Sequence, residues 1–162
     1  MKLKHLVAGC CALAVTAAAG IATAADAPKS EDLIKARQAA YAFVGWNMGR
    51  IKASVAPGAT FNREEVVKAA NAIKGVANSG LGALFVAGTE KGNGFHHTHI
   101  KPEALLPKNA EKLGQLAGDF NREANALADV AASGDQAAVA AQFGKLGGTC
   151  KACHDDFRQK IK

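Results

Sequence analysis

Three residues near the end of the chain have the identities and spacing of a chemical site. They are Cys150, Cys153 and His154, in the stretch TCKACHDDFR at positions 149–158. If this stretch is helical, residues three and four apart lie on one face, so both thiols and the imidazole reach the same cavity. Thiols so spaced can form thioethers to the two vinyl-derived edges of a haem, and the adjacent histidine can bind its iron. This pattern is the signature of c-type haem attachment.

Three other chemistries use paired cysteines, and each is disfavoured here. A thioredoxin-type dithiol is expected after a strand, at the start of a helix where the dipole lowers a thiol pKa, whereas this pair lies late in a predicted helix. A structural zinc needs four ligands, and the histidines at positions 96, 97 and 99 are about 50 residues away. A disulfide between positions i and i+3 of a helix would be strained. We therefore expect one haem c, covalently bound through Cys150 and Cys153.

The N-terminus has the pattern of a cleaved export signal. Lys2 and Lys4 precede an apolar run, and Ala22-Thr23-Ala24 forms a small-residue cleavage site. We predict a signal peptide at residues 1–24 and a single mature domain at residues 25–162, exported to the periplasm. No later segment has the ~20 uninterrupted apolar residues of a spanning helix.

Removal of the signal also decides which cysteines remain. Lipoprotein processing at Cys10 is an alternative, but it would leave a second apolar run exposed to water. Cleavage after Ala24 removes Cys10 and Cys11, so that only Cys150 and Cys153 are left. The formal net charge falls from +6 to +4 once the two signal lysines leave. Since Asp or Glu lies close to most Lys and Arg, no nucleic-acid-binding stripe is present, whereas an acidic docking partner stays open.

Composition and periodicity predict an all-α protein, an antiparallel four-helix bundle that encloses the haem. Hydrophobic residues make up 49% of the chain, with one Tyr, one Trp and four Pro, and alanine is abundant. Apolar residues recur at spacings of three and four in four segments. The glycine- and proline-rich residues 81–107 form a long connection between the second and third segments. The segments run from Ser30 to before Pro57, from the N-cap Asn62 to Ser79, from Pro107 to Ser133, and from the N-cap Asp135 onward.

In the second helix, Glu65 at the third helical position completes a capping box with Asn62.

Residues that could contact a haem lie on the core-facing stripes of the first and last helices. The stripe of the first helix is Arg37, Tyr41, Val44, Met48 and Ile51, and that of the fourth is Val139, Phe143, Leu146, Cys150, Cys153, Phe157 and Ile161.

An arginine on a core-facing stripe indicates what lies opposite it. Arg37 needs an anionic partner there, and the haem propionates would supply one through charge-assisted hydrogen bonds. Tyr41, one turn further along, would then lie over the ring. Met48 is ~10 Å from Tyr41 along the helix axis, so the two cannot both sit above one iron, and we expect Met48 to be core filler.

Together these features resemble the cytochrome c′ family, the class II c-type cytochromes. The resemblance covers the whole mature chain, and its most specific elements are the haem motif close to the C-terminus and the distant pair Arg37-Gln38. Shorter matches lie between them at Gly45-Trp46-Asn47, Gly88-Thr89-Glu90 and Pro102-Glu103.

The resemblance implies roles for residues around the haem. Tyr41 would occupy the distal position without binding the iron, which leaves the iron five-coordinate and high-spin. Gln38 would lie near the haem edge, and Arg158 beside the proximal imidazole of His154. A second copy of the chain would pack through the first two helices as a homodimer.

The function implied is that of a periplasmic monohaem cytochrome that is not an enzyme. It would exchange single electrons with a redox partner protein, or bind small gases such as nitric oxide. One alternative is a low-spin electron carrier with Met48 or a loop histidine as sixth ligand. A haem peroxidase is less favoured, because the first helix offers no histidine beside Tyr41 to act as a distal base.

The stretch Phe95-His96-His97-Thr98-His99 departs from the family pattern. We expect it to form a solvated loop. Metal binding by His96, His97 and His99, or a histidine swung over the iron as sixth ligand, are the alternatives.

Overall fold

The computed structural model describes residues 27–160 of the chain. The predicted signal peptide at residues 1–24 and the stripe residue Ile161 lie outside these described residues. Within residues 27–160 the regular elements are helices, with two isolated bridges as the only β-type pairing. The all-α prediction is therefore confirmed. The α-helices are α1 (Ser30–Val55), α2 (Arg63–Ala77), α3 (Ala110–Ser133) and α4 (Gln136–Phe157).

The starts of α2 and α4 are set by side-chain caps. The Asn62 side chain accepts a hydrogen bond from the Glu65 backbone N–H, and the Asp135 side chain accepts one from Ala138 in the same way. The predicted capping box is wrong in one of its two hydrogen bonds, the one from the Asn62 N–H to the Glu65 side chain. The Asn62 N–H donates to Ser54 Oγ at 3.0 Å, and the Glu65 carboxylate pairs instead with an arginine of α1. A side chain of the preceding helix has replaced the local cap.

The four helices form a closed ring around one core. α1 packs against α2 and α4, and α3 packs against the same two helices. This is the arrangement of a four-helix bundle in which the short connections join antiparallel neighbours. None of the helices within residues 27–160 is long and apolar enough to span a membrane. The core draws on apolar residues of all four helices, and these are buried: Val44, Ile51, Val66, Ala70, Ile73, Phe120, Leu127, Val139 and Leu146.

Backbone hydrogen bonds hold the last part of the long connection between α2 and α3 against the end of α4. The connection contains short 3-10 helices at Leu81–Leu84 and Pro107–Asn109. Near its end, the Lys101 N–H donates to the Phe157 carbonyl at 2.9 Å, and the Gln159 N–H donates to the His99 carbonyl at 2.7 Å. The connection therefore runs beside the C-terminal end of α4, where the haem motif lies.

Candidate functional site

The haem motif occupies the last turns of α4. Cys150 and Cys153 are half-buried, and Cys150 packs against the hydrophobic core. Neither thiol is in a disulfide. His154 is more exposed. The two thiols and the imidazole thus lie on the last turns of one helix. That all three reach one cavity stays a prediction, since the cleft lined by His154 contains neither cysteine.

Both thiols are held in their protonated form. Burial raises the pKa of Cys150 and of Cys153, and the nearby Cys150 raises that of Cys153 further. A redox dithiol requires the opposite, a thiolate stabilised by a positive charge or a helix N-terminus. As the side chains stand, no three His, Cys, Asp or Glu within residues 27–160 are arranged to hold a metal ion. The dithiol and zinc alternatives for this pair therefore gain no support.

The imidazole of His154 is kept neutral by its surroundings. Partial desolvation lowers its pKa, and the positive charge of Arg158 one turn later lowers it further. A neutral imidazole is the form that binds a metal ion. The ring opens onto a cleft of about 680 Å³ at the end of α4, which is lined by Lys101, His154, Asp155, Arg158, Gln159 and Lys160.

Tyr41 on α1 lies near the two thiols. Burial of its hydroxyl raises the pKa of Tyr41 to about 12, and Cys153 and Cys150 add to the increase. The ring is 40% exposed. Its centre lies 6.3 Å from that of Phe85 in an edge arrangement, and 6.2 Å from that of Phe120. Tyr41 is therefore close enough to the cysteines to interact with them, and its position over a haem stays a prediction.

Met48 has a different environment from Tyr41. It is half-buried and packs against the hydrophobic core of the bundle. It lies seven residues further along α1, or ~10 Å along the axis. The position of Met48 agrees with the expectation that it fills the core.

Arg37 has partners other than the anion that the sequence argument required. It is 5% exposed. Its Nη1 donates to the Leu84 carbonyl and to Thr89 Oγ1, both at 3.0 Å. Its Nη2 donates to the Thr89 carbonyl at 2.8 Å and to Thr98 Oγ1 at 3.2 Å. The argument that a buried Arg37 needs propionates is thus wrong, because neutral oxygens already take its four terminal N–H groups, while contact with the haem stays a prediction.

Gln38 also binds the connection. Its Oε1 accepts from the Phe95 N–H at 2.8 Å, and its Nε2 donates to the His96 carbonyl at 2.9 Å. The backbone comes so close that a Cβ atom at Gly94 would lie 2.5 Å from Gln38 Oε1. The pair Arg37-Gln38 therefore fastens two stretches of one connection to α1.

The residues that accept hydrogen bonds from Arg37 were not predicted from the sequence. Thr89 lies in one of the family-like matches, which is a weak signal of a role, but nothing in the sequence shows that it is buried. Thr98 lies between histidines and carries no signal. Phe85, whose ring centre is 5.0 Å from the Arg37 guanidinium carbon, was likewise not singled out. Each of these contacts joins segments that are distant in the chain.

Comparison with known proteins identifies the family. The family model described as Cytochrome C' matches residues 32–158. A cytochrome c′ from Rhodocyclus tenuis is 57% identical over 132 residues, which cover 82% of this chain and 97% of that protein.

Two solved structures share the fold over almost their whole length. A cytochrome c′ described as showing an unusual ligand-controlled dimer dissociation matches with a TM-score of 0.76 and 45% identity, over 83% of this chain and 99% of that one. A ferrous variant of the cytochrome c′ from Alcaligenes xylosoxidans with bound NO matches with a TM-score of 0.72 and 28% identity, over 84% of this chain and 100% of that one. This chain belongs to the cytochrome c′ family, whose members carry one covalently attached haem c.

Proposed function

We propose that this chain is a periplasmic monohaem cytochrome with a five-coordinate iron, which transfers single electrons and binds small gases such as nitric oxide. The observation that carries the proposal is the donor set of α4. Two unpaired thiols and a neutral imidazole lie on one helix, near a tyrosine. The solved relative from Alcaligenes xylosoxidans, which has NO bound, supports the gas-binding part of the proposal.

The residues of α4 fit a c-type haem by their chemistry. Cys150 and Cys153 are the thioether donors, since each is unpaired, half-buried and protonated. His154 would bind the haem iron. The haem supplies an iron that exchanges one electron and binds a diatomic gas, while the protein supplies orientation and dielectric.

Arg158 acts on the axial ligand through its charge. It lies one turn beyond His154 and lowers the pKa of that imidazole. The same positive charge disfavours the protonated imidazolium form, so His154 keeps the free lone pair that binds a metal ion. Arg158 also lines the cleft beside the imidazole. We therefore assign to it the role of a positioning charge rather than that of a ligand.

Tyr41 is the distal residue in this proposal. With a pKa of about 12, it is a neutral phenol at physiological pH, and a neutral phenol is a poor iron ligand. Phe85 and Phe120 pack beside its ring, which is 40% exposed. The core packing of Met48 argues against the low-spin alternative.

Arg37 and Gln38 position the connection rather than donate to the iron. Their side chains hold residues 84–98 against α1, on the same helix as Tyr41. A connection fixed in this way keeps Phe85 against the tyrosine ring. Gln38 stays near the proposed haem edge through these loop contacts.

A homodimer packed through the first two helices completes the proposal. α1 exposes two large aromatic side chains, Phe43 at 50% and Trp46 at 69%. Three residues apart, they lie on one outward face of the helix. Exposed aromatic pairs of this kind are typical of interfaces. The relative described by its ligand-controlled dimer dissociation supports a dimer for this chain.

One preparation tests the haem, the export and the ligation. The full chain is expressed with a c-type maturation system, and the protein is isolated from the periplasm. We expect an intact mass equal to residues 25–162 plus one haem, and a ferric spectrum of high-spin type. The far-red band of methionine ligation should be absent, and NO should bind the ferrous form. Peroxide turnover is expected to stay at the level of free haem.

Other results would each contradict one part of the proposed function. A mass equal to the bare polypeptide would overturn the covalent haem. A far-red band would assign Met48 as sixth ligand, and its loss in Met48→Leu would prove that assignment. The double variant Cys150→Ser with Cys153→Ser serves as the matched control, because it retains His154 and should lose haem on denaturation.

A further inference from the structure

Three histidine rings lie together on the connection between α2 and α3. The ring centres of His96 and His99 are 6.0 Å apart, and so are those of His97 and His99. His96 and His97 are exposed, and His99 is half-buried. The proposed haem chemistry gives none of these side chains a role.

Hydrogen bonds set which nitrogen of two rings carries the proton. His96 Nδ1 lies 2.8 Å from the His97 carbonyl, and His97 Nδ1 lies 3.2 Å from Asn93 Oδ1. Gln38 Nε2, 3.3 Å from His96 Nδ1, donates instead to the His96 carbonyl. Since a carbonyl oxygen only accepts, each Nδ1 is the donor and each Nε2 keeps its lone pair. Histidines that bind metals characteristically donate their second nitrogen to an oxygen in this way.

Hydrogen bonds of Thr98 fix the backbone that carries His97 and His99. Thr98, between His97 and His99, is 4% exposed and accepts a hydrogen bond from Arg37. Its N–H donates to the Gly92 carbonyl at 3.0 Å. The two flanking rings therefore stand on a fixed segment, and ligands on a fixed segment lose less entropy when they bind.

We propose that His97 and His99, with His96 as third ligand, form a binding site for a divalent transition metal of the class that imidazole prefers, represented by Zn²⁺. Two imidazoles that bind one ion at ~2.1 Å hold their ring centres ~5 Å apart. These two ring pairs stand ~1 Å wider than this, and as the side chains stand they form no three-ligand cluster within residues 27–160. Rotation of exposed side chains closes the gap, and water completes the tetrahedron.

The test is a calorimetric titration of the mature holoprotein with Zn²⁺. We expect one ion per chain, with micromolar affinity or better and an unchanged haem spectrum, which shows that His154 is not involved. The double variant His97→Asn with His99→Asn should weaken binding by more than ~100-fold, the upper range for loss of an outer partner. Asn93→Ala, which removes only the acceptor of His97, should weaken it by about tenfold.

Phe95→Ala is the matched control, because it alters the same loop and removes no imidazole. It should bind Zn²⁺ as the unmodified protein does. A titration without defined stoichiometry, or one that the double variant leaves unchanged, would mean an adventitious ion only and overturn the site. Because the readout is zinc affinity, failure here leaves the haem mass and spectrum of the proposed function intact.

Discussion

Arg37 and Thr89 are 52 residues apart in the chain and are joined by two hydrogen bonds. Nη1 donates to the threonine Oγ1 at 3.0 Å, and Nη2 donates to its carbonyl oxygen at 2.8 Å. Both residues are buried, with Thr89 at 0% exposure, so water cannot replace either contact. A hydrogen bond from a charged donor contributes more than a neutral one, and its loss in a buried place is more damaging. The pair therefore anchors the connection to α1.

The substitution Thr89→Val tests that anchor. It removes the Oγ1 acceptor, and it leaves one N–H of a buried guanidinium without a partner. We expect the free energy of unfolding of the holoprotein to fall by about 1–3 kcal/mol in denaturant titrations. Thr60→Val, at an exposed position between α1 and α2, is the control and should stay within about 0.5 kcal/mol of the unmodified protein. Equal values for the two variants would show that the anchor contributes nothing.

The close approach of the connection to α1 gives a second prediction. A Cβ atom at Gly94 would lie 2.9 Å from the Lys35 backbone nitrogen and 2.9 Å from Ile34 Cγ2. A helix backbone cannot yield, so Gly94→Ala must move the loop and break the bond between the Phe95 N–H and Gln38. We expect amide exchange at Phe95 to become at least about tenfold faster, equivalent to ~1.4 kcal/mol of local stability.

Gly82→Ala is the control for this substitution. A Cβ atom at Gly82 meets nothing within 4 Å, although Gly82 lies in the same connection. Amide exchange at Phe95 should therefore be unaffected. If Gly94→Ala also left that exchange rate unchanged, the tight packing of the loop on α1 would not exist in solution.

The helices were predictable because their signals are local. Apolar spacing, the N-caps Asn62 and Asp135, and the breaks at Pro57 and Gly134 each act within a few residues, and all are confirmed. The haem motif is local as well, since its spacing alone places three side chains on one surface of a helix. Local periodicity thus accounts for the bundle and for the centre of the site.

The partners of Arg37 could not be predicted for the opposite reason. Its acceptors lie 47 to 61 residues away in the chain. Two of them are backbone carbonyls, whose role cannot be inferred from residue type. The sequence argument assumed that a buried cation needs an anion, whereas several neutral oxygens serve equally well when each N–H finds one. The capping box failed in the same way, because Ser54 of the preceding helix supplied the acceptor expected from Glu65.

The ionisation of Tyr41 gives a prediction on pH. Burial raises the pKa of Tyr41 to about 12, whereas a tyrosine in an unfolded chain ionises near pH 10. The folded state keeps a proton that the unfolded state loses, so this contribution to stability is full below about pH 10 and is lost as the pH rises to about 12. The chain has a single tyrosine, so phenolate absorbance, measured against Tyr41→Phe, follows this group alone.

The same variant provides the control for stability. Between about pH 10 and 12 the free energy of unfolding should fall more steeply for the unmodified protein than for Tyr41→Phe, which has no hydroxyl to ionise. Phenolate formation near pH 10 in the native protein would contradict the burial of the hydroxyl near Cys153.

Trp46 provides the prediction on assembly. It is 69% exposed on α1, on the same face as Phe43. Aromatic side chains at the centre of an interface contribute about 2 kcal/mol or more each, so Trp46→Ala should raise the dimer dissociation constant about 30-fold. Sedimentation of the holoprotein over a range of concentrations measures the constant. Phe95→Ala, at an equally exposed aromatic on the connection, should leave it unchanged. A dimer weakened by Phe95→Ala and insensitive to Trp46→Ala would place the interface on the connection instead of on the first two helices.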